Sequence, residues 1–458
     1  MTDTTISSTL AGFATSLNYE DIPAEVTANA KLRLLDTVGV CLASIGMPYA
    51  NAILGHVEEQ GGRAESRLFG RDTRLPASLA VLYNAALAHG NDYDDTHSRA
   101  IVHAGGVMVP TALAMAERHA RSGRDTLAAI VAGYEVAARI GMVASKGFHA
   151  QGFHSTSICG TFAAAATASM LMGLSQEQTA HALGIAGSQA AGSLEFLADG
   201  AWTKRLHPGW AAHSGVNGAG LAARGFTGPR SVFEGRYGVF ALYATATPPE
   251  MALATAGLGE EWEILNTDFK PYPCGHFSHP YMDCALKLRR NGVQPADIES
   301  IEARVPSAMV PILCEPAADK RRPSTGYAAR FSLPFSLALI FVHGRADIDD
   351  FLEARLAEPA IRDLSDRMRY VVDDTLPFPQ TFPGWVIVTL KNGKRVEARL
   401  DASRGSREYP MSDDEMRAKF EANAGRALPL QRVQRLWDAA QRLDLLPDIR
   451  PFCDLLAA

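Results

Sequence analysis

Residues 89–110 carry three histidines (His89, His97, His103), three aspartates (Asp92, Asp94, Asp95), Thr96, Arg99 and the pair Gly105 and Gly106. Few other stretches are as dense in groups that hold or move a proton. An imidazole titrates near neutral pH, so a histidine placed by rigid flanks serves as general acid or base with little perturbation. The same residues also read as structure. Asp-Asp-Thr suits a helix N-cap with acidic neighbours, and a histidine before Gly-Gly suits a turn. A metal site built from His97, His103 and the aspartates is a third reading, but the spacing lacks the helical His-x-x-x-His pattern, and no metal is expected.

Three further stretches carry groups of the same kind. In residues 149–161, Ser155 or Thr156 would cap a small-residue helix, which sets His154 beside a helix N-terminus suited to a carboxylate ligand. Residues 201–215 bring Lys204, Arg205, His207 and His213 together before an Ala/Gly-rich helix. A lone Lys-Arg pair is more often a solvated surface feature. Residues 269–280 contain Lys270, Cys274, Gly275, His276 and His279 among too many prolines for regular structure.

The elements that position these residues are mostly helical. Apolar periodicity predicts a helix over 76–88, ending at Gly90, and another restarting near Pro110, so the 89–110 cluster lies on a loop between buried helices. Helices are also expected over 9–16, 24–43, 110–121, 126–143, 282–290, 329–342 and 348–353, with Ser175 and Gln178 as a capping box that opens a helix to about residue 184. From residue 266 onward the texture changes. Residues 301–305, 368–372, 385–390 and 395–400 read as strands, the last two flanking Asn392-Gly393, a strong hairpin signal. Ser412 and Glu415 form another capping box before a helical remainder.

Composition bounds the function. A chain of 458 residues is long enough for two or three cores. A net charge of -6 and a pI near 6.1 argue against nucleic acid or an acidic membrane surface as partner. The six cysteines show no Cys-x-x-Cys spacing, which disfavours a zinc ribbon, an iron–sulfur site or a disulfide frame. The N-terminus has no basic segment followed by an apolar run, so a cytosolic location is expected.

Several stretches together resemble the MmgE/PrpD family, whose members include 2-methylcitrate dehydratase, cis-aconitate decarboxylase and iminodisuccinate epimerase. They are His89-Gly-Asn-Asp-Tyr-Asp-Asp-Thr96, His103 before Gly-Gly, Gly152-Phe-His154 with Gly160-Thr161, Thr203-Lys-Arg-Leu-His207, Lys270-Pro-Tyr-Pro-Cys-Gly275 and Phe331-Ser-Leu-Pro334. The resemblance implies a mainly α fold: a large helical domain over 1–266 completed by returning helices in 405–458, and a smaller α+β lid domain over 267–404. It also implies a homodimer and no cofactor. Carried over position by position, it marks Asp92, Thr96, His103, His154, Lys204 and Lys270 as site residues, with His207 and His276 as further substrate contacts. In the decarboxylase pattern a histidine stands where this chain has Gly275. That departure counts against decarboxylation unless His276 takes its place. Tyr327 is the candidate for the family's lid tyrosine.

Reactions of this family add or remove a proton or a carboxyl group beside a carboxylate. Cations and donors aimed at that carboxylate lower the barrier by several kcal/mol. Lys204 and Lys270 suit that role, His103 and His154 suit proton transfer, Asp92 would orient a neighbour, and Thr96 would hold a carboxylate oxygen. The expected protein is a cofactor-independent lyase that dehydrates a 2-methylcitrate-like hydroxy acid. Epimerisation of a dicarboxylate such as iminodisuccinate, decarboxylation of cis-aconitate and a catalytically silent family member are the alternatives.

Overall fold

The computed structural model describes residues 5–144, 146–246, 248–378 and 380–457. The chain is mainly α and forms two compact units. The first comprises Met1–Gly90, Asp94–Asp268 and Ser412–Ala458, and the second Asn91–Tyr93 and Phe269–Met411.

Three helices at the centre of the first unit matter most: Ala104–His119, Ser155–Met172 and Thr203–Ala222. Small residues let their backbones approach closely. A Cβ at Gly215 would lie 2.5 Å from Ala164 Cβ and 2.6 Å from the Ala165 backbone nitrogen, and one at Gly160 would meet Val107 at 3.0 Å and Ala211 at 3.3 Å. The pairings advance in the same direction along each segment, His103 with Thr156 and then Val107 with Gly160, and Gly160 with Ala211 and then Ala164 with Gly215. The helices are therefore parallel here and begin at a common level. Gly123–Ala144 covers the bundle; it is apolar and long enough to cross a membrane, but apart from Arg124 and Asp125 in its first turn it is buried in protein. Residues 413–441 return as Asp413–Ala424 and Leu430–Gln441, and the first of these packs on Ala24–Leu42 with Lys419 Nζ 2.6 Å from Asp36 Oδ1.

Three sequence expectations shift. The helix expected from Pro110 begins at Ala104, with Pro110 inside it. Lys204, Arg205 and His207 lie within the helix they were expected to precede, which also contains Pro208. Neither Ser155 nor Thr156 caps the small-residue helix: His154 holds the N-cap position, with non-helical φ -79° and ψ 110°. A further helix, Pro48–Gln60, went unread.

The second unit is α+β. Its sheet runs in the order Met368–Val372, Ile298–Val305, Gly384–Leu390, Arg395–Leu400, with the first pair parallel and the rest antiparallel. Gly393 takes φ 83° in the hairpin turn, the left-handed conformation that Asn-Gly signals. Ile301, Ala303 and Val305 are fully buried, as their alternation predicts. Helix His279–Arg290 lies on the two hairpin strands and packs in turn on Leu333–His343, enclosing Met282, Ala285, Leu337 and Ile340.

Candidate active site

In the first unit the common level of the three helix starts collects the predicted groups. His103 and His154 are the N-caps of Ala104–His119 and Ser155–Met172, and Lys204 is the second residue of Thr203–Ala222. The positive ends of two long helices and an ammonium thus share one neighbourhood, which favours an anion. The His103 backbone N–H donates to Thr156 Oγ1 at 3.1 Å, tying the first two helix starts together. His154 Nδ1 is 3.0 Å from His207 Nδ1, tying the second to the third.

The tautomer of His103 follows from its partners. Its Nδ1 lies 2.7 Å from the Asp95 carbonyl oxygen and 3.1 Å from Thr96 Oγ1. A carbonyl only accepts, so Nδ1 carries the hydrogen and Nε2 is the nitrogen that can exchange a proton. Burial, then the charges of His89, His207 and Lys204, hold His154 well below the usual histidine range. Burial, His89 and Lys204 take His207 down to about 4. At neutral pH both rings are uncharged, the form a general base needs.

His89 is a residue the sequence reading left out of the site. Its Nδ1 lies 2.6 Å from Asp94 Oδ2, both side chains are buried, and its ring stands edge-on to His103 at 4.9 Å between centroids. A Cβ at Gly106 would press on Asp94 at 3.0 Å, so the second glycine of the pair makes room for this carboxylate. The histidine two residues before Asn91 was visible in the sequence, but nothing in the spacing marked Asp94 as its partner. Asp95 and His97 of the 89–103 loop are held by structural partners. Asp95 accepts from Tyr134 and from the Gly105 N–H at 2.9 Å and faces Arg33. His97 pairs with Glu263 at 2.9 Å, which removes it from the metal reading considered above. Arg205 donates to the Gly90 carbonyl and stacks over Tyr49, and His213 bonds the Ser78 carbonyl at 2.8 Å.

The second unit holds the other predicted residues. Lys270 is buried, donates to the Asp92 carbonyl at 2.9 Å and lies 3.5 Å from its carboxylate. Arg330 secures the adjoining backbone through the Asn91 carbonyl at 2.7 Å. Asp92 has φ 51°, a conformation an aspartate tolerates better than most residues. His276 is buried, its ring 5.0 Å from His279 and 4.9 Å from Phe382. Burial and then Lys270 push it down to about 3. At Gly275 a side chain would press on Phe331 and the Arg330 carbonyl at 3.0 to 3.3 Å. Tyr327 lies against Phe331, at 5.4 Å between ring centroids.

A mainly helical fold thus brings two buried histidines and a buried lysine together at helix starts, an arrangement that suits an anion. Residues 8–252 match the MmgE/PrpD N-terminal domain and residues 272–445 the MmgE/PrpD C-terminal domain, and the chain belongs to the MmgE/PrpD family. It is an enzyme of the MmgE/PrpD type, a lyase or isomerase. Among curated proteins it is 28% identical to a cis-aconitate decarboxylase-like protein of Aspergillus oryzae, over 99% of this chain and 97% of the relative. It is also 28% identical to human cis-aconitate decarboxylase, over 97% and 93%, and 26% identical to cis-aconitate decarboxylase of Aspergillus terreus, over 98% and 96%.

Proposed function

We propose that this enzyme is a cofactor-independent lyase for a small di- or tricarboxylate, with dehydration of a 2-hydroxy acid of the 2-methylcitrate type as its reaction. The observation that carries the reading is the joint placement of His103, His154 and Lys204 at the starts of three parallel helices. In this scheme Lys204 and the two helix N-termini bind the carboxylate on which charge builds up. His154 takes the proton from the adjacent carbon, and His103, entering the step as an imidazolium with its second hydrogen on Nε2, gives that proton to the departing hydroxyl, which leaves as water, with Thr96 holding a carboxylate oxygen. His207 steadies His154 through their ring nitrogens. Lys270, Asp92 and His276 are assigned to substrate handling by the family resemblance, and that assignment belongs to the proposal.

Decarboxylation of cis-aconitate is the second reading, favoured by the names of the relatives. Against it stand Gly275, where a side chain would be crowded, and His276, whose ring faces His279 and Phe382.

The test is incubation with 2-methylcitrate, citrate, cis-aconitate and iminodisuccinate in deuterated water, followed by NMR. Dehydration shows as water loss from the hydroxy acid. Carbon dioxide release from cis-aconitate selects the second reading, and deuterium exchange without net loss selects epimerisation. No change in any of these acids overturns the proposed substrate class. His154→Gln should lower kcat/KM at least about 100-fold in a protein that keeps its fold.

A further inference from the structure

We propose that His89, His103 and His154 form a binding site for one divalent transition-metal ion of the zinc class, which enters in place of substrate. Each of the three side chains brings a ring nitrogen within 4.8 Å of the other two. A tetrahedral ion with Zn–N bonds of about 2.0 to 2.1 Å spaces its ligand nitrogens about 3.4 Å apart. Three nitrogens at the corners of the observed triangle therefore need to move inward by less than about 1 Å each, within the reach of small side-chain rotations.

Lys204 and the two helix starts oppose a cation here, and the buried Asp94 carboxylate beside His89 offsets them. A metal-bound histidine gives one nitrogen to the ion and the other to a supporting oxygen or ring, which fixes its orientation. All three rings have such a support on Nδ1. For His89 it is the Asp94 carboxylate at 2.6 Å, for His103 the Asp95 carbonyl at 2.7 Å, and for His154 His207 at 3.0 Å. With Nδ1 of each ring turned to such a neighbour, and with His154 donating to His207, Nε2 is the nitrogen left for the ion. Three imidazoles leave a fourth position for water or a carboxylate oxygen, the arrangement of open rather than closed zinc sites. The ion is no part of the proposed reaction. It occupies the nitrogens that proton transfer would use, so on the reading given above it acts as a reversible inhibitor.

The experiment is titration of the metal-free full chain with Co(II) and Zn(II). One Co(II) per chain should bind with the intense visible bands of a tetrahedral site, and Zn(II) should displace it. Asp94→Asn should weaken binding 10- to 100-fold, and His89→Gln should abolish the bands. Metal binding is read without substrate, so it stands or falls separately from the proposed reaction. Where an acid is turned over, Zn(II) should inhibit and a chelator should restore the rate. Octahedral, weakly coloured Co(II), a stoichiometry unrelated to one per chain, or unchanged binding in folded His89→Gln overturns the site.

Discussion

Lys270 shows how a catalytic assignment and a structural one can rest on the same atoms. Its ammonium is buried against both the carbonyl and the carboxylate of Asp92. Removing one member of a buried pair leaves a charge facing the wrong environment, which costs more than the pair itself contributes. Lys270→Met should therefore lower unfolding free energy by on the order of 3 kcal/mol, and adding Asp92→Asn should recover more than half of that loss in denaturant titrations. If the second change only adds to the first, the pair is not the source of the effect. Residue types were legible here and partnerships were not. Histidine density pointed to His103 and His154, and the family resemblance added Lys204 and Lys270. The link from His89 to Asp94 depends on a loop in which Asp92 and Ile101 take φ of 51° and 54°, reversals that spacing does not encode.

At the scale of the element, the close approach of the parallel helices brings His154, His207 and Lys204 together. Alanine is normally the better helix residue, worth about 1 kcal/mol over glycine. At Gly215 that gain is opposed by contact with the backbone of Ala165, which cannot swing aside. Overpacking of this kind costs about 1 to 3 kcal/mol. Gly215→Ala should lower the melting temperature, whereas Gly220→Ala on the same helix, with nothing within 4 Å of its new Cβ, should raise stability by about 0.5 to 1 kcal/mol. A stabilising Gly215→Ala would contradict the packing described here. The capping boxes at Ser175 and Ser412 and the Asn392-Gly393 hairpin were readable because each is a local device. The starts of two central helices were not. Pro110 and Pro208 look like boundaries in sequence, since proline lacks the N–H that a helix interior uses. Here both lie inside helices whose neighbouring small residues permit tight packing.

For the molecule as a whole, the mainly α class followed from periodicity, since most long apolar patterns repeat at helical spacing and the few alternating ones fall together after residue 266. Sensitivity to acid follows from buried histidines. His276 has an unfolded value of 6.5 and is held near 3 in the fold by burial and by Lys270, against the pull of Asp92, with His279 also facing it and pushed the same way. A lowered folded value means that the unfolded chain binds more protons. Its contribution is complete above pH 6.5 and is lost as pH falls towards 3. Between pH 7 and pH 5 this one residue should remove about 2 kcal/mol, and His276→Gln should flatten that part of the stability profile. A profile as steep in the variant would place the effect elsewhere.

The path of the chain through its two units affects how it is made. Ala24–Leu42 leaves the ribosome before the second unit, yet Asp413–Ala424, which seats Lys419 on Asp36 and Phe420 on Gly39, leaves after it. All of Phe269–Met411 emerges in the interval. The inserted unit has its own sheet and core and can close while its host still waits, so translation order and completion order are reversed.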